Sequence, residues 1–395
     1  METLTINQSY IKDNRLCAEI LAEKPYEMWF EVEEEYKKYL CNEKEDAFLI
    51  AVLPYAIKHE LNIVVEGCIS SKLYYQLDKC LIPLLCKKFG KKKIQISSKL
   101  DNSTLVHENA VGTGVSCGVD SFYTMLKNTN LEEKEFNITH LTFFNAGASG
   151  RFGGEEARNL YNVRKEKARK FAEDNNCKFV CVDTNMNEFL MMSHIATHTF
   201  RSLACVLAIQ KLFSKYYYAS AGDDFDDTKI STESTAYYDI LNVQCLSNEN
   251  VQFYSDGVGV SRLEKIKEIV KYPVTYDWLN VCIDEDRNCG YCPKCKRTQL
   301  ELDSIGKISK YEKVFSLNYF YKNRNKFLAD MLIQKQKNFY FKEIYNEYKN
   351  NNIKIPISVY FVALAKSIIM PIKRFIKKLI FRKRNDAKKI DEGWI

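Results

Sequence analysis

The chain has 395 residues, 46% of them hydrophobic and 28% charged, which allows two or three domains with ordinary cores. Its net charge of +7 lies in residues 356–395, where ten basic side chains accompany three acidic ones and leave the remainder neutral. A neutral body argues against nucleic acid as the partner. No secretion signal is recognised in residues 1–10, no uninterrupted apolar segment reaches the ~18 residues of a membrane span, and fourteen scattered cysteines indicate a reducing cytoplasm.

Residues 1–105 are expected to form a separate accessory domain of α/β or α+β type. Strands are predicted at residues 16–21, 27–32, 62–66 and 93–97, and helices at residues 46–61 and 70–88. No catalytic cluster is recognised among them. A lid, a partner surface or a substrate-gripping module would suit this segment.

Residues 106–305 alternate between strand and helix. The strands are predicted at 110–116, 138–145, 178–183 and 216–221, and the helices at 120–128, 154–175 and 195–213. Such alternation predicts an α/β domain with a parallel sheet covered by helices. Ligands bind such sheets at the carboxyl ends of the strands, which directs attention to loops 117–120, 145–153, 183–193 and 221–235. Residues 306–355 are predicted to be a helical extension.

The run from Gly114 to Phe122 reads GVSCGVDSF, a small apolar strand end followed by a turn and a helix. Backbone N–H groups at such a helix start can hold a phosphate, and the hydroxyls of Ser116 and Ser121 can donate to it. Asp120 would repel phosphate unless it holds Mg²⁺. The alternative is a strand-to-helix turn that has a side-chain cap and no ligand.

The same run resembles the SGGxDS pyrophosphatase loop of the PP-loop ATPase superfamily, whose members cut ATP between its α and β phosphates. Cys117 stands where that pattern has its first glycine. This substitution predicts a backbone without positive φ at residue 117.

Four cysteines follow the spacing C-x6-C-x2-C-x2-C at Cys282, Cys289, Cys292 and Cys295. Four thiolates at such spacing can surround one tetrahedral zinc ion, and Gly290 lets the chain fold back over the sulfurs. An iron–sulfur cluster is the competing metal centre. The third interpretation of this cysteine pattern is four thiols that bind no metal.

Together the two motifs resemble the 7-cyano-7-deazaguanine synthase group over residues 110–300, through the run CGYCPKCKRT that begins at Cys289. The resemblance implies a PP-loop domain with an adenine-nucleotide α-hydrolase-like sheet over residues 106–305. It also implies a ligase that adenylates a small carboxylate with ATP and Mg²⁺ for attack by ammonia or another amine, beside a structural Zn²⁺. Residues 1–105 and the basic tail lie outside that group's usual extent, so a divergent branch with an unknown acid substrate is expected.

The resemblance and the loops at the carboxyl ends of the predicted strands together indicate the candidate site residues. Asp120, Ser121 and Arg201 are the catalytic candidates, with Arg201 as the first choice for a cation near the α phosphate. The candidates for nucleotide binding are Ser116, Cys117, Gly118, Val119, Asp120, Ser121, Asn145, Gly222, Arg262 and Lys265. A solvated or ion-paired base is the alternative for each cation.

Two possible roles are considered for each of three other polar groups. Asp223, Asp224, Asp226 and Asp227 suit a second Mg²⁺ or, preferably, a solvated turn. His194 and His198 are four residues apart on a predicted helix, a spacing that suits metal but here favours a structural role. For the Cys117 thiol we favour a packing role over a catalytic one. The alternative function for the chain is a tRNA-modifying PP-loop enzyme that transfers sulfur with a catalytic cysteine. A non-catalytic ATP-binding scaffold at a membrane is the third function considered.

The basic tail, residues 356–395, reads as an amphipathic helix. Ile372, Phe375, Ile376, Leu379 and Ile380 recur at helical spacing between lysines and arginines. Such a helix lies on anionic lipid, so we expect a cytoplasmic protein that can associate with the inner membrane face. Docking on the protein's own body and RNA binding are the alternatives. The sequence is also compatible with a homodimer.

Overall fold

The computed structural model describes residues 2–149, 152–221, 227–282 and 287–381. Contacts group these residues into two compact units. The first contains residues 1–116 and 120–260, and the second contains residues 117–119 and 261–390 within the described ranges. No helix of this described part is both long and apolar enough to cross a membrane.

The first unit contains a mixed sheet of eleven strands among its described residues. The strands are β1 (Thr3–Ile6), β2 (Tyr10–Lys12), β3 (Arg15–Leu21), β4 (Pro25–Glu31), β5 (Asn62–Ser70), β6 (Ile96–Asp101), β7 (Ala110–Gly114), β8 (His140–Phe144), β9 (Lys178–Thr184), β10 (Phe213–Ala219) and β11 (Gln252–Asp256). Their order is β11-β10-β7-β8-β9-β4-β3-β1-β5-β6, with β2 paired to β3. The strands from β9 to β11 along this order are all parallel.

Helices connect the parallel strands of the first unit. They are α1 (Asp46–His59), α2 (Ser71–Gln76), α3 (Ile82–Lys88), α4 (Val119–Lys127), α5 (Gly154–Asp174), α6 (Met186–Leu190), α7 (His194–Ala208) and α8 (Asp239–Cys245). A short π-helical turn, Leu77–Leu81, joins α2 to α3. These bounds confirm the predicted helices and the four predicted strands of residues 106–221 to within a few residues.

The structure divides the chain differently from the sequence prediction for residues 1–105. Strand β4 pairs with β9 in antiparallel register, with Phe30 opposite Thr184 and Glu31 opposite Asp183. Helix α1 packs against α7 within one hydrophobic core. The first hundred residues therefore extend the parallel sheet as part of the same unit. A mixed α/β fold with a mostly parallel central sheet is confirmed.

The second unit is helical among its described residues. It contains α9 (Arg262–Ile269), α10 (Val274–Trp278), α11 (Pro293–Ser304), α12 (Leu317–Gln334), α13 (Phe339–Asn350) and α14 (Ile357–Phe381). Ser261 caps α9, since its hydroxyl accepts from Glu264 N while the Glu264 carboxylate accepts from Ser261 N. Residues 261–305 thus group with the predicted helical extension, whereas the sequence assigned them to the sheet domain.

A buried carboxyl group stands at the start of α1. Glu45 Oε1 accepts hydrogen bonds from Ser9 N at 2.9 Å and Ser9 Oγ at 3.0 Å. Burial nevertheless dominates and raises the pKa of Glu45 to about 7, and burial also raises the pKa of its neighbour Asp46. The folded state therefore holds a proton that the unfolded chain releases near its ordinary pKa of 4.5.

This difference predicts that Glu45 makes the protein less stable as pH rises. The stabilisation from the protonated carboxyl is complete below pH 4.5 and is lost as pH passes through about 7. Glu45→Gln should remove this loss, raising the free energy of unfolding at pH 8 relative to pH 5 by roughly 2.5 kcal/mol compared with wild type. Urea unfolding at both pH values measures it. The exposed Glu132→Gln is the control, and an equal pH dependence in Glu45→Gln and wild type would contradict the prediction.

Candidate functional site

The carboxyl ends of five parallel strands meet at one edge of the sheet. Along the order β9-β8-β7-β10-β11 the chain starts at β7, proceeds outward through β8 and β9, and then returns to the other side of β7 for β10 and β11. The direction of winding thus reverses between β7 and β10. Ligands of open parallel sheets bind outside the carboxyl ends at such a reversal. The segment that leaves β7 there is the GVSCGVDSF run.

This phosphate-loop candidate, residues 115–121, joins β7 to α4 as predicted. Val115 N donates to Thr142 O at 2.9 Å, which fixes the end of the strand. Ser116 is exposed, and its Oγ donates to Ser121 Oγ at 3.2 Å. Gly118 is half-buried, Val119 is buried, and Asp120 is half-buried in the first turn of α4. The loop therefore presents two hydroxyls and a carboxylate at a helix N-terminus.

Helix α4 is anchored at both of its flanks within the first unit. Thr124 Oγ1 donates to Asp256 Oδ2 at 2.8 Å, linking the helix to the end of β11. Phe122 packs edge-on against Phe171 of α5, with ring centroids 5.4 Å apart. These contacts hold the first turn of α4 at the sheet edge.

The backbone at Cys117 is left-handed, with φ of 54°. The sequence prediction for this position was therefore wrong: the backbone has kept the conformation that favours glycine, and the side chain is a buried thiol. Asn280 N donates to Cys117 O at 2.8 Å, so contacts within the second unit support this conformation. An L-residue in this region costs about 1–2 kcal/mol, and such strain clusters at functional sites.

We expect Cys117→Gly to be more stable than Cys117→Ala by roughly 1 kcal/mol, because both variants lose the thiol but only glycine relieves the left-handed backbone. Urea unfolding of the two variants measures the difference. An alanine variant as stable as the glycine variant would contradict the positive φ.

Asn145 lies directly after β8 and is buried at the same sheet edge. Its Nδ2 donates to Asp183 Oδ1 at 2.7 Å, and its carbonyl oxygen accepts from Asn187 Nδ2 at 3.0 Å. Its Oδ1 has no hydrogen-bond partner within the described residues. Burial raises the pKa of Asp183, although the hydrogen bond from Asn145 opposes that shift.

Arg201 is fully buried in α7 and bonds only neutral acceptors in the described structure. Its Nε donates to Thr197 Oγ1 at 2.7 Å, its Nη2 to Met192 O at 2.7 Å, and its Nη1 to Asn187 Oδ1. Burial lowers the pKa of Arg201 to about 10. A Cβ at Gly147 would lie 2.7 Å from Arg201 Nη1, so the loop after β8 runs directly over the guanidinium. Arg201 therefore supplies a buried positive charge beneath this loop.

Arg262 and Lys265 lie in α9 of the second unit, and both are buried. Arg262 Nη2 donates to Thr298 Oγ1 at 3.2 Å, and its Nε lies 3.4 Å from Glu301 Oε1 in an ion pair. The ion-paired alternative raised by the sequence thus describes Arg262.

Other predicted positions are distributed as follows. Gly222, Asp223, Asp224 and Asp226 lie outside the described residues. His198 bonds Thr235 Oγ1 through Nε2 at 2.7 Å and Tyr218 OH through Nδ1, while His194 Nδ1 bonds Ala146 O at 3.0 Å. These partners fit the structural role predicted for both histidines.

The four predicted metal ligands come together in the second unit. The sulfurs of Cys282, Cys289, Cys292 and Cys295 all lie within 4.8 Å of one another. Cys289 Sγ and Cys295 Sγ are 3.9 Å apart. Two sulfurs of a zinc tetrathiolate, with Zn–S bonds of about 2.3 Å, are separated by about 3.8 Å. The group could hold one metal ion, and its ligands and spacing are compatible with zinc.

Backbone donors already point at these sulfurs. Cys292 N donates to Cys289 Sγ at 3.3 Å, and Cys295 N donates to Cys292 Sγ at 3.4 Å where α11 begins. Gly290 turns the chain with φ of 78°, and Gln299 Nε2 secures that turn by donating to Gly290 O at 2.8 Å. Such second-shell bonds orient thiolates for a metal.

The polar shell around the candidate site was predicted only where it lies in loop 183–193. Asp183, Asn187 and Asp256 reach the sheet edge from three different elements, and Asp256 ends a strand that was not predicted. The one available signal was that loop 183–193 follows a predicted strand and carries polar residues.

No protein-family model, curated protein or solved structure matches this chain.

Proposed function

We propose that this chain is an ATP-dependent ligase that releases AMP and pyrophosphate, a divergent relative of the 7-cyano-7-deazaguanine synthases. The proposal depends on one observation: the GVSCGVDSF run forms the strand–turn–helix segment at the winding reversal of a parallel sheet. A pattern of this kind acquires meaning from that context. The left-handed backbone at Cys117, where the family pattern has glycine, adds a backbone argument to the residue pattern.

In this proposal the phosphates of ATP occupy the start of α4. Backbone N–H groups of the loop and the hydroxyls of Ser116 and Ser121 donate to phosphate oxygens. Asp120 carries a Mg²⁺ ion, which would neutralise charge on the departing pyrophosphate. The charge of Arg201 acts from beneath the loop after β8 without touching phosphate, because each of its three nitrogens already donates to a protein acceptor. Asn145 Oδ1 is an acceptor for a hydroxyl or amino group of the ligand.

The chemistry is an in-line displacement. A carboxylate oxygen of the substrate attacks the α phosphorus, the bond to the bridging oxygen breaks, and pyrophosphate leaves. Ammonia or another amine then attacks the acyl carbon and expels AMP with loss of a proton. Zn²⁺ on the four cysteines would be structural, since four protein thiolates leave no open position on the metal. None of the fourteen cysteines forms a disulfide, which suits a reducing cytoplasm.

The test measures exchange of labelled pyrophosphate into ATP by the full-length chain with Mg²⁺. A panel of small carboxylic acids, beginning with a deazaguanine carboxylate, is added one at a time. Acid-dependent exchange supports the ligase. Calorimetry of Mg-ATP on folded protein is the companion measurement, and an absence of binding heat overturns the proposal.

One observation favours a second candidate, sulfur transfer by Cys117. A buried thiol is kept at a backbone position where glycine would be unstrained. If the thiol carries sulfur, Cys117→Gly abolishes activity although it relieves strain. If the ligase proposal is right, that variant keeps acid-dependent pyrophosphate exchange.

A further inference from the structure

One face of helix α14, Ile357–Phe381, packs against the rest of the second unit. Val359 is fully buried and Ala363 is nearly so. Lys366 Nζ bonds Asp330 Oδ1 of α12 at 2.8 Å. Residues 359, 363 and 366 recur at helical spacing, so they define the inner face of the helix.

The opposite face carries a row of large apolar side chains in solvent. Ile357, Phe361, Leu364 and Ile368 are between 59% and 75% exposed. Their spacing of four, three and four residues places them in one line along the helix. Scattered exposed apolar residues are ordinary, but a contiguous row marks an interaction surface. We call these four residues the outer row.

The sequence extends the outer row into the basic tail. Ile372, Phe375 and Leu379 follow Ile368 at intervals of four, three and four residues. Lysines and arginines fill the positions between and after them, so that residues 356–395 carry ten basic and three acidic side chains. The chain's whole net charge is therefore carried by the segment that contains the outer row.

We propose that α14 lies on an anionic lipid bilayer, with the outer row in the acyl–headgroup boundary and the basic residues at the phosphate level. The helix is too polar to span the bilayer, since Lys366 lies in its middle and a basic run follows. A helix with an apolar row and many flanking lysines and arginines partitions into an interface instead. The inner face then connects the lipid surface to the rest of the second unit.

Charge and the apolar outer row together decide against the other occupants. A second copy of the chain would bring two strongly basic tails together, which like-charge repulsion opposes. RNA would satisfy the charge but would leave the outer row in water. Anionic lipid is the partner that uses both properties, because it offers an apolar layer beneath a negative surface.

The experiment compares sedimentation of the full-length chain with vesicles of equal parts phosphatidylcholine and phosphatidylglycerol and with vesicles of phosphatidylcholine alone. We expect binding to the mixed vesicles, at least about tenfold weaker binding to the neutral ones, and weaker binding as salt rises. Equal binding to both vesicle types, or none to either, overturns the proposal.

A matched pair of variants tests the outer row. Phe361→Ser should weaken binding to the mixed vesicles by about tenfold, because it removes a large apolar side chain from the bilayer boundary. Phe339→Ser is the control, since this residue is of the same type, lies in the same unit and is 61% exposed but belongs to α13. Equal losses from the two variants overturn the assignment of this face.

A charge variant and an RNA competition complete the test. Replacing Lys373, Arg374, Lys377 and Lys378 with glutamine should remove the preference for the mixed vesicles. An unchanged preference contradicts the electrostatic part of the proposal. The competition adds excess unstructured RNA to wild-type chain bound to vesicles, and RNA binding of Phe361→Ser is compared with that of wild type. If RNA displaces the chain and Phe361→Ser binds RNA as well as wild type does, RNA is the partner and the lipid proposal is overturned.

Discussion

Replacing Cys295 with serine is expected to abolish metal binding and to lower the free energy of unfolding of the second unit by at least about 4 kcal/mol. The size of the effect follows from what a bound metal would hold together. The four sulfurs come from a loop and from the start of α11, and their mutual separations of 4.8 Å or less would place unneutralised thiolates close together. A bound dication converts that repulsion into four bonds.

The matched control is Cys205→Ser. Cys205 and Cys295 are both fully buried, but Cys205 lies in α7, away from the four-cysteine group in sequence and in a different unit. Burying a hydroxyl in place of a thiol costs stability at either position, by about 1–3 kcal/mol. Metal content separates the two effects: we expect one zinc per chain in wild type and Cys205→Ser, and none in Cys295→Ser.

Elemental analysis and amide exchange provide the readouts. Removing the metal with a strong chelator should increase exchange of α11 amides, because Cys292 and Cys295 anchor the first turn of that helix. Purified wild-type protein that contains iron and absorbs visible light would instead identify an iron–sulfur cluster. Protein of full stability with no metal at all would make the group four ordinary thiols.

The sequence was informative where local pattern determines structure. The alternation of apolar strands and amphipathic helices over residues 106–221 depends on short-range periodicity, and those elements appear as predicted. The cysteine cluster was equally legible, because ligand spacing along the chain largely fixes which sulfurs can meet.

Long-range pairing was not legible. The strands of the first hundred residues join the parallel strands through two residue pairs between β4 and β9, which lie about 150 positions apart, and nothing local in residues 25–31 specifies that partner. Strand β1 has only four residues, too few for periodicity to distinguish it from a loop. The domain boundary predicted near residue 105 therefore falls where the structure has a continuous sheet.

The candidate site was predictable in its loop and not in its shell. Glycine-bearing turns after a strand can be read directly, which located Ser116, Asp120 and Ser121. The environment of Arg201 depends on acceptors from α6 and from the loop after it, and burial of this kind has no local signal. The positive φ at Cys117 was predicted wrongly, because a side chain at this position ordinarily disfavours that conformation and the turn adopts it nonetheless.

Asp120→Asn should reduce ATP-dependent pyrophosphate formation by at least about a hundredfold, close to 2.7 kcal/mol of lost transition-state stabilisation. The substitution keeps the size and shape of the side chain in the first turn of α4 and removes only its charge. A carboxylate beside bound phosphate is unfavourable unless a cation lies between them. The wild-type chain should therefore bind ATP much better with Mg²⁺ than without it.

The effect of Asp120→Asn on ATP affinity should differ in direction with and without Mg²⁺, which tests this argument. Without Mg²⁺, Asp120→Asn should bind ATP at least as well as wild type, because the repelling charge is gone; with Mg²⁺ it should lose most of the metal-dependent gain in affinity. Glu155→Gln is the control, since it also removes one carboxylate from the first turn of a helix, here α5. The Glu155 carboxylate interacts favourably with the helix dipole as Asp120 does, but it is exposed to solvent. Calorimetry with and without Mg²⁺ measures both variants. If Asp120→Asn retains the full metal dependence and turnover, the carboxylate has no role in holding metal and residues 115–121 are an ordinary strand-to-helix turn.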